Sequence, residues 1–179
     1  GDVYKRQIMN GAETLPATVL SEIKGKDISL NLDMENGFIW KINGTSITAE
    51  TPADTDLSVT NTAEHIPAAL YSLISTNQND FGFHLGRSGA FDFPAVLSVK
   101  ADASCAGLMA NLFWYDAENG VLQCIQTVTV GGAFEDSIPY TDFTLSKGQD
   151  YFIAFGTESL NGRVIHTDGS ITDENGAYL

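Results

Sequence analysis

From Ile28 onward, apolar residues recur at every second position, and short turn signals interrupt the pattern at close intervals. Ile28, Leu30 and Leu32 alternate with Ser29, Asn31 and Asp33; Phe38, Trp40 and Ile42 alternate with Ile39 and Lys41. Successive side chains of a strand point to opposite faces, so a period of two fits half-buried strands and no amphipathic helix. Glu35-Asn36-Gly37 separates the two runs as a tight turn, and Asn43-Gly44 leads into a third strand over Thr45 to Thr48. After a Thr, Pro, Ala and Asp rich loop, Leu57 to Thr60 and Phe81 to Leu85 read as strands, and Arg87-Ser88-Gly89 turns the chain. Phe91 to Lys100 is a longer strand, in which Pro94 marks an edge or a bulge because it has no N–H to donate. Asn111 to Asp116 and Val121 to Val130 form the clearest hairpin, closed at Ala117-Glu118-Asn119-Gly120 and ended by Gly131-Gly132. Tyr140 to Leu145 and Tyr151 to Phe155 pair around Ser146-Lys147-Gly148.

Only two segments carry helical spacing. Leu15, Val19, Leu20 and Ile23 predict a short helix over about 15 to 23, capped by Thr14 and stopped by Gly25. Ile66, Leu70, Leu73 and Ile74, with Pro67 in a first turn, predict a second one within His65 to Ser75. Short strands with regular turns and little helix give an all-β expectation: an antiparallel, immunoglobulin-like β-sandwich with one or two short helices.

Charge then narrows the function. Nine Lys and Arg face 23 Asp and Glu among 179 residues, a net charge of −14, while 43% of residues are hydrophobic. That apolar share supports a real core. The acid excess excludes a phosphate-backbone binder, so no nucleic acid partner is expected, and it opposes an anionic membrane surface. No apolar run approaches the roughly 18 residues that a membrane span needs, so no membrane insertion is expected. Cys105 and Cys124 form no zinc-type cluster; they read either as one disulfide of an exported chain or as two buried thiols.

The ends read differently from the middle. Asp2 to Gln7 is Asp-Val-Tyr-Lys-Arg-Gln, which GAT GTG TAT AAG AGA CAG encodes, and that DNA resembles the end of a transposase adapter. Residues 1 to 7 are therefore expected to be read-through on a metagenomic gene fragment, with a native basic tail as the alternative. Residues 8 to 156 are expected to be the sandwich module. Residues 157 to 179, polar and rich in Asn-Gly and Asp-Gly, are expected to be a linker or the start of another module near Arg163 to His166.

Chemistry-bearing motifs are sparse. His65, His84 and His166 sit in no His-Glu-x-x-His, and there is no Gly-x-Ser-x-Gly elbow, so no catalytic residue is assigned. His84 falls within an alternating strand and reads as a structural histidine. Gly131-Gly132 lacks the helix and Lys of a phosphate cradle. Asp54 with Asp56, and Asp168 with Asp173, offer oxygen atoms but fit no calcium-loop spacing, so they read as turn carboxylates; no metal and no cofactor is assigned. The aromatic run Phe113-Trp114-Tyr115 is more informative, because one strand cannot bury all three on one side. Phe113, Tyr115 and Tyr140 are the candidate ligand-binding residues, as a stacking platform for apolar sugar faces; the alternatives are a strand covered on both faces, or Tyr115 as a half-exposed sheet residue. Trp40, sharing its side with Phe38 and Ile42, is expected in the core.

Taken together, Val19-Leu-Ser-Glu-Ile-Lys-Gly-Lys-Asp-Ile-Ser-Leu-Asn-Leu, Gly37-Phe-Ile-Trp-Lys-Ile-Asn-Gly, Asp56-Leu-Ser-Val, Ile66-Pro, Phe81-Gly-Phe, Ala110-Asn-Leu-Phe-Trp-Tyr-Asp-Ala-Glu-Asn-Gly-Val-Leu-Gln and Lys147-Gly-Gln-Asp-Tyr-Phe-Ile-Ala resemble a β-sandwich module. That module is repeated in large surface and secreted proteins of clostridia and related Gram-positive bacteria. The resemblance covers roughly residues 15 to 155, and Cys105 departs from its pattern, standing where a plain polar loop is expected. More distantly, Gly89-Ala-Phe-Asp-Phe-Pro with the Trp-Tyr-Asp hairpin is similar to the sandwich shared by zonula-occludens proteins and netrin receptors. What the resemblance implies is a non-catalytic accessory, spacer or adhesion module, extracellular or at the cell surface. Its partners would be other domains of the same polypeptide and a neutral glycan or a surface protein. The alternative is a carbohydrate-binding module.

Overall fold

The computed structural model describes residues 3–8, 12–131 and 138–179. The chain folds as an all-β sandwich of antiparallel strands with two short helices. β1 (Val3–Ile8), β2 (Thr14–Leu15), helix α1 (Ala17–Ile23), β3 (Ile28–Asp33) and β4 (Phe38–Asn43) come first. β5 (Thr55–Asp56), β6 (Val59–Thr60), helix α2 (Ala68–Tyr71) and the long β7 (Phe81–Lys100) follow. β8 (Met109–Asp116), β9 (Val121–Thr129), β10 (Tyr140–Gly156), β11 (Val164–Ile165) and β12 (Ile171–Thr172) complete the order. The second residue of the Gly131-Gly132 pair lies outside the described residues.

The chain divides into two compact units, each drawn from separate stretches of sequence. The first comprises Gly1–Thr60, Leu85–Lys100 and Asp142–Gln149. Within it β3 and β4 pair antiparallel, with Leu32 opposite Trp40, and β4 continues onto β7, with Trp40 opposite Leu97. The expected alternation is present in β4, where Phe38, Trp40 and Ile42 are buried and the residues between them are not. Trp40 is fully buried, meets Phe91 edge-on at 5.6 Å, and donates its indole N–H to the Leu57 carbonyl at 2.9 Å.

Three local expectations in this unit are corrected. Helix α1 starts at Ala17 behind Pro16, because Thr14 and Leu15 are spent on pairing with β5. Thr45 to Thr48 is not a strand: Asn43 Oδ1 accepts from the Thr45 N–H and hydroxyl, winding Gly44–Ser46 into a 3-10 turn. The turns expected at Arg87-Ser88-Gly89 and Ser146-Lys147-Gly148 lie inside single strands, β7 and β10. Gly148 leaves room for the Arg87 main chain, and the Gln149 amide donates to the Leu85 and Arg87 carbonyls, so the two strands stay tied together through these positions.

β1 falls on the stretch set aside as adapter read-through, yet its backbone pairs parallel with β3, Val3 opposite Ile28 through Ile8 opposite Asp33. Main-chain pairing on a free strand edge asks little of the added sequence, so the pairing does not bear on where those residues come from.

The second unit comprises Asn61–His84, Ala101–Thr141 and Asp150–Leu179. β10 pairs with β8, and β8 with β9, the hairpin read from sequence, with a register shift between Leu112 and Phe113. Its core gathers Ile66, Leu70 and Ile74 from around α2 with Phe113, Leu122, Cys124, Phe152, Ala154 and Ile165. Residues 157 to 179, expected as a linker or the start of another module, belong to this unit. β11 extends the sheet from β9, Ile165 is 1% exposed, and β12 pairs with β11. The local cause is that Cys124 exchanges backbone hydrogen bonds with Gly162 and Arg163, which binds the tail to β9 before β11 begins.

Candidate functional site

Of the three aromatics expected as a platform, one lies in the core. Phe113 is 0% exposed and sits in the core of the second unit, which removes it from any surface platform. Tyr115 is half-buried and packs against that core, and Tyr140 is half-buried at the start of β10. The burial of Ala110 through Phe113 without a break shows β8 covered on both faces there, the alternative that the consecutive aromatics left open. Cys105 and Cys124 are buried free thiols. Burial pushes the Cys124 thiol up to about 11, partly opposed by hydrogen bonding to Thr127 and Gln126.

Beside Phe113 lies an open cleft of about 290 Å³, also lined by Leu73, Asn111, Glu158, Leu160 and Arg163. Its buried amide is already spent. Asn111 Nδ2 donates to the Glu158 carbonyl, while Oδ1 accepts from the Leu160 N–H and the Thr127 hydroxyl. In the first unit a shallow cleft of about 340 Å³ runs along the polar face of the sheet, between Ser29, Asn31, Lys41, Asn43 and Thr144. The Asn31 Oδ1 there is buried without a hydrogen-bond partner.

The carboxylates weighed for calcium serve their own turns. Asp54 accepts from the Ala17 N–H at the start of α1, and Asp56 from Ser58 N–H. Asp168 accepts from the Ser170 N–H and hydroxyl, which hold its carboxyl below the usual range, and Asp173 accepts from Asn175 and Ala177. His166, in the tail, meets the Thr172 hydroxyl at 2.9 Å.

One convergence of titratable side chains stands apart, and sequence reading missed it. His65 lies in the loop before α2, His84 on β7 and Asp150 on β10, all within the second unit. His84 Nδ1 donates to Asp150 Oδ1 at 2.8 Å, so the structural role expected of His84 has a partner. His65 Nδ1 stands 3.5 Å from the same oxygen. The two imidazole rings stack with centroids 4.3 Å apart. Strand alternation makes this possible. Phe83 and Tyr151 turn inward and stack at 5.2 Å, which sends their neighbours His84 and Asp150 to the opposite side.

The loop is held close by a missing side chain. A Cβ on Gly82 would come within 2.7 Å of the Ala63 Cβ. Gly82 and His84 share one side of β7, so the bare position lets Ala63 descend onto the strand and brings His65 down onto His84. In sequence, 19 residues separate the histidines and a further 66 separate His84 from Asp150. No local motif spans such distances; only the Phe81-Gly82-Phe83 pattern, a glycine inside a strand, hinted at close backbone approach. These three donors are the group among the described residues that could hold a metal ion. Comparison with protein-family models, with curated proteins and with solved structures gives no match to this chain.

Proposed function

We propose that the chain is a non-catalytic accessory module, a spacer or adhesion unit of a larger bacterial surface or secreted protein. The observation that carries this reading is how its polar chemistry is used. The turn carboxylates Asp54, Asp56, Asp168 and Asp173 are bound to backbone, as is the buried amide Asn111, so these polar groups are engaged in holding their own turns and strands. The resemblance over residues 15 to 155 supports the same reading. The acid excess favours neutral glycans or protein surfaces over anionic polymers.

The test has two arms. The purified chain is applied to a panel of neutral and acidic glycans and to intact Gram-positive cell walls, and the parental gene is sequenced through both flanks. Expected are further extracellular modules or a wall-attachment signal in frame, with any binding confined to neutral glycan or surface protein. A parental gene encoding an isolated cytoplasmic protein overturns the reading, and so does hydrolysis of any glycan on the panel. A carbohydrate-binding role through an aromatic platform would have to use Tyr115 or Tyr140, since Phe113 is in the core.

A further inference from the structure

His65, His84 and Asp150 form a more specific arrangement than a structural hydrogen bond requires. Two imidazole nitrogens are aimed at one carboxylate oxygen, and the ligand atoms of all three side chains lie within 4.8 Å of one another. We infer that His65 Nδ1, His84 Nδ1 and Asp150 Oδ1 bind one divalent transition-metal ion of the zinc class.

Geometry is the first support. A tetrahedral zinc ion with ligands at about 2.0–2.2 Å spaces its donors roughly 3.3–3.5 Å apart. The His65–Asp150 separation of 3.5 Å is already of that size. The 2.8 Å contact of His84 is a hydrogen bond whose proton the ion replaces, and a small side-chain rotation opens it.

The donor set is the second. Two nitrogens and one carboxylate oxygen suit zinc, copper or nickel, whereas calcium and magnesium take shells of oxygen. Three protein ligands leave a position for solvent. The His65 side chain, 46% exposed, marks the open side, while Asp150, 10% exposed, closes the floor. Glu64 Oε1 stands 3.9 Å from the outer nitrogen of His65, on the side where a supporting carboxylate orients a ligating histidine. The ion would cross-link the loop before α2 to β7 and β10, so binding stabilises the folded unit.

The test uses the whole chain, untagged and stripped with chelator, titrated with zinc against a chromophoric competitor and with cobalt by visible absorption. Expected is one ion per chain, a four-coordinate cobalt spectrum, and a rise in Tm of roughly 5–10 °C at free zinc a hundredfold above the dissociation constant. His65→Gln, on an exposed loop, is expected to keep the fold and weaken zinc more than about tenfold, since losing even a supporting partner costs that much. Gly82→Ala keeps all three ligands but lifts the loop, and is expected to weaken zinc as well. Equal affinity in wild type and His65→Gln overturns the inference. Displacement of zinc by excess magnesium, or no binding below millimolar zinc, does the same.

Discussion

Trp40 fills the centre of the first unit and also satisfies the Leu57 carbonyl through its indole N–H. The two contributions separate by substitution. Trp40→Phe keeps an aromatic ring but strands a buried carbonyl, at about 1–3 kcal/mol. Trp40→Ala also empties the cavity and is expected to cost about 3–5 kcal/mol. Urea denaturation of both variants checks the order. Cys124 gives a prediction that depends on pH. Burial raises its thiol from 9.0 to about 11, so on raising the pH the unfolded chain ionises first. The stability tied to the neutral thiol is complete below pH 9 and is lost as pH climbs toward 11. Cys124→Ala is expected to flatten that part of the stability profile, and an aromatic disulfide reagent at pH 8 should label Cys124 only as fast as the native unit opens.

At the scale of elements, legibility followed how local each signal is. β3, β4 and the β8–β9 hairpin were readable because period-two alternation and an adjacent turn residue lie within a dozen positions. Asn43-Gly44 misled because the same dipeptide can close a hairpin or seat a helix end. Here the Gly44 carbonyl accepts the Gly25 N–H, and a Cβ on Gly44 would strike the Ile23 and Lys26 carbonyls. Gly44→Ala is therefore expected to cost about 1–3 kcal/mol and to loosen the end of α1, measured by hydrogen exchange at Lys24 to Lys26. The continuation of β7 and β10 through their glycines was equally ambiguous, since Gly148 and Gly89 look like turn residues whether or not the strand continues. The histidine–aspartate cluster was beyond local reading altogether, being made by one loop and two strands that only the fold brings together.

Across the whole molecule, the polar tail is the part whose composition and structure disagree most. Its Asn-Gly and Asp-Gly pairs read as a linker or the start of another module, yet Asp168-Gly169 turns the chain between the two-residue strands β11 and β12, and β11 carries Ile165 into the core. Deleting residues 157 to 179 is expected to destabilise the second unit by at least the roughly 2–5 kcal/mol that losing a buried Ile side chain costs; a dispensable linker would leave Tm unchanged. The bare position at Gly82 has a consequence of another kind. Its glycine is demanded by crowding, while Gly120, at φ 65° with open space around it, is demanded by backbone handedness. A saturation scan would sort the two: Asn, which tolerates the left-handed region, should restore folding at position 120 and fail at position 82. The tolerance pattern at position 82 would then record how near one loop lies to one strand, and a variant library becomes a ruler for the gap beneath His65.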